Sequence, residues 1–144
     1  MHFTTVHKLP VDRVKLFHAL LNPDLIQKCI DGCERLQPAG VDTYHTTIAL
    51  TVAGFRAQAA GTVSITDKNP PESFTMTIEG RAAPGFVKST SRISLADRGG
   101  QTEVLCEANA QVGGLVASVG PSLIQATVKR MMDDFFKKMS ALAV

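Results

Sequence analysis

Toward the C-terminus, apolar residues return every three or four positions: Val119, Leu123, Ile124, Val128, Met131, Met132, Phe135, Met139 and Leu142. Polar side chains take the opposite side: Ser118, Ser122, Gln125, Lys129, Asp133, Lys137 and Ser140. This is the period of an amphipathic helix with a wide apolar face. No proline follows Pro121 to interrupt it. The pattern predicts one helix from Leu115 to Val144, roughly 40 Å long at about 1.5 Å per residue. Such a helix needs a broad apolar partner surface.

Upstream, the pattern is mostly that of strands. Met1 to Leu9 reads as a first strand. A short helix follows from Val11 to Leu21, with Val14, Phe17, Leu20 and Leu21 on one face. Asn22 and Pro23 break it, and Asn22 caps a second short helix from Asp24 to Cys29. Gly32 stops that helix. Alternating segments then run over Glu34 to Pro38, Tyr44 to Val52, Phe55 to Asp67, Ser73 to Gly80, Phe86 to Leu95 and Gln101 to Val112. Turn-forming residues separate them, among them Pro70, Pro71, Gly99 and Gly100. Hairpin connections imply an antiparallel sheet with one covered face. The predicted class is α+β: a curved antiparallel sheet of about seven strands gripping a long C-terminal helix, with two short helices after the first strand. With 144 residues, the chain is expected to form one domain over residues 1–144.

The period of two sorts each strand into faces. One face collects Tyr44, Ile48 and Leu50, then Ala57, Ala59 and Gly61, then Met76, Ile78 and Gly80, then Ser89 and Ser91, then Cys106, Ala108 and Ala110. Many of these groups are small, while folded interiors are packed to a density of about 0.74. Either the helix backbone approaches closely, or space remains for a ligand. Buried Ser89 and Ser91 would need hydrogen-bond partners, which a ligand with a few polar atoms would supply. The candidate lining is therefore Tyr44, Ile48, Leu50, Ala57, Ala59, Met76, Ile78, Ser89, Ser91 and Ala108 on the sheet. Leu123, Thr127, Met131 and Phe135 face them from the helix, where a methionine and phenylalanine stripe is polarisable and adaptable. Tyr44, Ser89 and Ser91 are candidate polar anchors. Phe86 and the loop from Arg81 to Gly85 are candidates for a gate.

Composition narrows the function. The chain is 44% hydrophobic and 19% charged, with a formal charge of +2 and scattered Lys and Arg residues, so nucleic acid is not an expected partner. No apolar run approaches the 18 or so residues of a spanning helix. The start, Met1 to Thr5, lacks the basic and apolar segments of a secretory signal. Three cysteines suggest reduced thiols. A cytoplasmic location is expected, with contact at the inner face of a membrane at most peripheral.

Catalytic motifs are missing: there is no GxSxG, no phosphate-cradling glycine motif and no HExxH. His2, His7, His18 and His45 are isolated in sequence and are expected at the surface. Cys29 and Cys33 stand four apart with Cys106 as the only other thiol, too few ligands for zinc. A redox pair is an alternative to buried structural thiols. No metal, cofactor or catalytic residue is expected, and the chain reads as a non-enzyme.

The run Cys29, Ile30, Asp31, Gly32, Cys33, Glu34 resembles a signature of the G-subunit family of carbon monoxide dehydrogenase. So do Asn109 to Leu115 with Gly120, the pair Pro70 and Pro71, and Asp133, Asp134, Phe135, Phe136 near the C-terminus. The resemblance covers essentially the whole chain. It departs at Asp31, where the family usually has proline. It departs again at Leu16 and Phe17, where a valine–tryptophan pair is common, and at Val144, beyond which some members continue into a linker and membrane-binding tail. The resemblance implies the START-like, helix-grip fold. It also implies a role beside a molybdenum-containing carbon monoxide dehydrogenase or related hydroxylase, through handling a hydrophobic ligand such as a quinone or recruiting the enzyme to the membrane.

The expected function is a non-enzymatic binding or carrier domain for a small hydrophobic, quinone- or lipid-like ligand, accessory to such an enzyme. The alternative is a protein-interaction module for assembly or membrane recruitment of that enzyme, with a vestigial pocket.

Overall fold

The computed structural model describes residues 1–30, 32–34, 36–52, 55–82, 85–114 and 120–143, with the side chains of 50–52, 55, 57 and 82 outside that description. Strand β1 (His2–Leu9) is followed by helices α1 (Arg13–Leu20) and α2 (Pro23–Cys29). Six strands come next: β2 (Gln37–Gly40), β3 (Thr43–Val52), β4 (Phe55–Asn69), β5 (Ser73–Ala82), β6 (Gly85–Asp97) and β7 (Thr102–Gly114). Helix α3 (Pro121–Leu142) closes the chain. The seven strands form one antiparallel sheet in the order β1-β7-β6-β5-β4-β3-β2.

Local chemistry explains the boundaries. Helix α1 begins two residues later than the apolar pattern suggests, because Asp12 caps it: its Oδ2 accepts the backbone N–H of Val14 at 3.2 Å and of Lys15 at 3.3 Å. Asn22 caps α2 as expected, its Oδ1 accepting the N–H of Asp24 at 3.0 Å. Helix α3 starts at Pro121, after Gly120 at φ 93°. Residues 115–119, where the expected first turns fall, lie outside the described residues. The first strand after α2 starts at Gln37, not at Glu34; Cys33 makes only an isolated bridge to Ile48.

Register assigns the concave face. Val63 and Ile65 lie opposite Ile78 and Met76. Ser89, Ser91, Ile93 and Leu95 lie opposite Ala110, Ala108, Cys106 and Val104. Phe3, Thr5 and His7 of β1 lie opposite Ala108, Cys106 and Val104. The main core sits where α1, α2 and the C-terminal half of α3 cover one end of that face: Leu16, Phe17, Leu20, Phe74, Val104, Cys106, Phe136 and Met139 are buried together. A smaller cluster joins Phe3, Ala108 and Ala110 to Ile124, with Val112 and Val128 against it. A third gathers Ile26, Cys33 and Leu36, with Tyr44, Ile48 and Phe135 packed on it. Helix α3 makes its main backbone contacts with α2 and β1. It is thus tied to one edge of the sheet and to a helix, not laid along the middle strands.

Candidate functional site

The concave face divides into a covered part and an open part. Ala108 and Ala110 on β7 are buried beneath Ile124, the close-approach outcome for small residues. Farther across the sheet, Ala59, Gly61, Ile78, Gly80, Val87, Ser89 and Ser91 share the same face but are only half-buried. Among the described residues, a Cβ placed on Gly80 would meet a single atom within 4 Å, the Cβ of Ala59 at 3.9 Å. At Gly80, then, no described atom of α3 comes within contact of the sheet.

The roof of that space is one flank of α3. Thr127, Met131 and Phe135 are spaced four apart and share one side of the helix, whereas Leu123, about 120° round from Phe135, lies off that side and is not brought to the lining. Phe135 reaches the cluster of Ile26, Tyr44 and Ile48, which places this flank on the β3 side. Phe136, about 100° farther round the helix, turns instead toward β1 and stacks on His7. Leu123 stays 43% exposed and Met131 38% exposed. Met131, a large apolar side chain left open beside the covered stripe of α3, is informative in a way that a scattered surface leucine such as Leu123 is not. Thr127 Oγ1 donates to the Leu123 carbonyl at 2.9 Å.

The expected lining residues fall into four groups. Ala59, Met76, Ile78, Ser89 and Ser91 lie on the floor, Met76 also packing against the main core. Tyr44, Ile48 and Phe135 form the wall at the α2 end. Ala108 belongs to the covered part beneath α3. Leu50 and Ala57 pair with each other in the β3–β4 register, and their side chains lie outside the described residues. No buried side-chain polar atom among the described residues lacks a hydrogen-bond partner, so the half-buried Ser89 and Ser91 leave no unmet demand of the kind expected from full burial.

Phe86 is corrected. It alternates with Val87 and Ser89, pairs with Arg81 and Gly113, and stands on the convex face, 48% exposed. Its ring lies over Gly113, where a side chain would collide with it. It closes a gap in β7 and does not face the open floor. Residues 83 and 84 of the expected gate loop lie outside the described residues.

His7 is also corrected, since it is not a surface histidine. It alternates with Phe3, Thr5 and Leu9 on the concave face of β1, and its side chain is only 10% exposed. Its ring stacks on Phe136 with centroids 4.3 Å apart and 28° between planes. Nε2 lies 3.1 Å from Thr5 Oγ1, and Nδ1 lies 3.7 Å from Asp133 Oδ1. Burial lowers its pKa, and Asp133 opposes that only in part. The alternation of β1 is the sequence signal that points to it. The imidazole belongs to the seam between α3 and β1, away from the open floor.

The three thiols are free and buried. Burial raises the pKa of Cys29, and pushes that of Cys106 up to about 12. Cys33 Sγ approaches the Glu34 carbonyl at 3.2 Å and Thr46 Oγ1 at 3.5 Å. These are not the exposed, stabilised thiolates of a redox pair. Among the described residues, no group of three or more His, Cys, Asp or Glu side chains is placed to hold a metal ion. A cleft of about 440 Å³ opens on the convex face between His45, Thr47, Thr62, Glu79 and Arg81. Most of its lining residues carry polar side chains, and it lies across the sheet from the open floor.

A curved seven-stranded sheet closed at one end by a long C-terminal helix, with a partly open concave face, is the helix-grip architecture of START-like proteins. The chain belongs to the CoxG family, the G subunits of carbon monoxide dehydrogenase, which it matches over residues 7–143. No curated protein gives a sequence match. Among solved structures, it is similar to a conserved protein from Geobacillus kaustophilus, with 26% identity, 99% of this chain and 95% of that one covered, and a TM-score of 0.95. The fold is shared with a Thermus thermophilus protein at 8% identity, covering 99% and 97% of the two chains, with a TM-score of 0.72. It is shared also with the ZhuI aromatase/cyclase from Streptomyces sp. R1128 at 9% identity, covering 99% and 93%, with a TM-score of 0.67. Among the described residues, no helix is long and apolar enough to cross a membrane.

Proposed function

We propose that this chain is a non-enzymatic carrier domain that holds an uncharged, largely apolar ligand, ring-bearing or lipid-like, between α3 and the open half of the concave face. In this reading it serves a molybdenum-containing carbon monoxide dehydrogenase or related hydroxylase as one START-like domain. Family and fold support a hydrophobic-ligand-binding accessory domain in general. The observation that supports the reading is the uncovered floor: among the described residues, a Cβ on Gly80 would meet only the Ala59 Cβ, while Met131 remains exposed on the side of α3 that carries Phe135. Sites for such ligands are mostly apolar with a few polar groups for orientation. Here the polar groups are hydroxyls: Ser89, Ser91 and Thr127, with Tyr44 at the wall. The described strand positions facing the floor carry no carboxylate and no imidazole, which favours binding over catalysis on a fold that a named aromatase/cyclase shares. The absence of charge there also favours a neutral ligand over a fatty-acid carboxylate, which would be desolvated without a partner.

Displacement of the neutral dye Nile red by a quinone analogue and by a fatty acid of similar size tests this. The expected result is saturable binding with displacement by the quinone analogue and little by the carboxylate. A protein that binds none of them, and that carries nothing in native mass spectrometry after detergent-free purification, contradicts it.

A further inference from the structure

We propose that His7 is a proton-operated latch: neutral, it clamps α3 to the edge strand β1, and protonated, it releases the helix that roofs the open floor. The last clause rests on the carrier reading above; the clamp itself does not.

The geometry is that of a clamp. β1 is one of the two edge strands of the sheet, paired on one side with β7. On its concave face, His7 presents a ring to α3 and lies flat against Phe136, which is itself buried. This pair joins the strand to the helix together with Phe3, which packs in one cluster with Ile124 and Val128. Two residues away on the same face of β1, Thr5 Oγ1 donates to Met132 Sδ at 3.9 Å, so the hydroxyl that meets the imidazole is engaged with the helix as well. Nε2 meets the Thr5 hydroxyl and Nδ1 faces Asp133, so a second ring proton adds a charge inside the seam whichever nitrogen carries the first.

The surroundings determine the sign. From α3, the charged group facing the ring is Asp133, whose side chain is 55% exposed, so its attraction is screened. Lys137, one turn further along α3, is exposed. From β7 come Val104 and Cys106, apolar or held as the neutral thiol. From β1 comes the neutral Thr5. Burial accordingly outweighs Asp133, and the packed ring is the weaker base. A histidine with a lowered folded pKa stabilises the packed state above its ordinary value of 6.5, and that contribution fades as pH falls through 6.5 toward the folded value. Mild acid therefore favours the detached helix. By linkage, a ligand that tightens α3 must make His7 harder to protonate.

Hydrogen exchange of the α3 amides, corrected for intrinsic pH dependence, and Nile red affinity are measured from about pH 7.5 to about pH 5.5, the range of histidine titration. The wild type is expected to lose protection at residues 132–139 and to bind the dye several-fold more weakly at the acid end. His7→Phe, which keeps the stacked ring but takes up no proton, is expected to be flat in both readouts. Asp133→Asn, a surface change that leaves the seam intact, is expected to deepen the loss of protection at the acid end, because the carboxylate favours the charged ring in the packed state. His18→Gln and His45→Gln are expected to behave as wild type. Wild-type protection that does not change with pH, or a transition that survives in His7→Phe or is no deeper in Asp133→Asn, overturns the latch. Dye that binds at no pH overturns the carrier reading, while the exchange arm still decides the clamp.

Discussion

Gly61 and Gly80 stand directly opposite each other on the concave face, yet the spaces above them differ. A Cβ on Gly61 would lie 3.0 Å from the carbonyl oxygen of Glu79, whereas on Gly80 it would reach only the Ala59 Cβ at 3.9 Å. The first glycine is needed because the backbone of β5 comes close. The second is not needed by any contact with α3. We expect Gly61→Leu to cost about 1–3 kcal/mol, as overpacking does, and Gly80→Leu to leave stability nearly unchanged. Denaturant titration of the two variants beside the wild type checks this. Equal losses would mean that the helix or a neighbouring chain segment already fills the floor.

Phe86 and Gly113 form a pair on the other side of the sheet, the ring covering the place where β7 has no side chain. Phe86→Ala should therefore uncover a patch of β7 and lower stability by about 1 kcal/mol. It should leave Nile red affinity within about twofold of wild type, since each 1.4 kcal/mol is a factor of ten. A gate residue would behave in the opposite way, with dye binding changed and stability kept.

The thiols offer a third check. Cys29 and Cys106 have raised pKa values caused by burial, and Cys33 is buried beside Thr46. The thiolate is the reactive species. In the folded protein near pH 8, all three should react with an aromatic disulfide reagent far more slowly than in denaturant. Rapid labelling of Cys29 and Cys33 without unfolding would restore the redox reading.

Two methionines on α3 should separate anchoring from lining. Met139 is fully buried in the main core, while Met131 is 38% exposed on the roof flank. Met139→Ala should cost about 2–5 kcal/mol, as buried truncations do, and Met131→Ala less than about 1 kcal/mol. Only the second is expected to weaken dye binding without a matching loss of stability.

Much of this is legible in the residues. The period of two locates the strands, and parity alone puts Ala59, Gly80, Ser89 and Ser91 on one face. Asn22 marks the start of α2 in the way its capping chemistry requires. The departures have physical reasons. His7 escapes a reading of the sequence because the inward positions of β1 include Thr5 and His7, and only its pairing with β7, about a hundred residues away, shows that they are covered. Phe86 misleads because a large aromatic suggests an interior, whereas it sits outward to cover Gly113. Above all, Ala108 and Gly80 carry the same small-residue signal, but one lies under Ile124 and the other under open space. Where the helix lies across the sheet decides that difference, and the contacts of α3 with α2 and β1 set its position.

The most direct measurement is the stoichiometry and affinity of Nile red for the wild type and for Gly80→Leu, with thermal unfolding recorded on the same samples. The account predicts one saturable site in the wild type and its loss, at least tenfold in affinity, in a variant that melts within a few degrees of wild type. Undiminished binding in a folded Gly80→Leu would place the dye elsewhere and contradict the claim that this floor is the binding site.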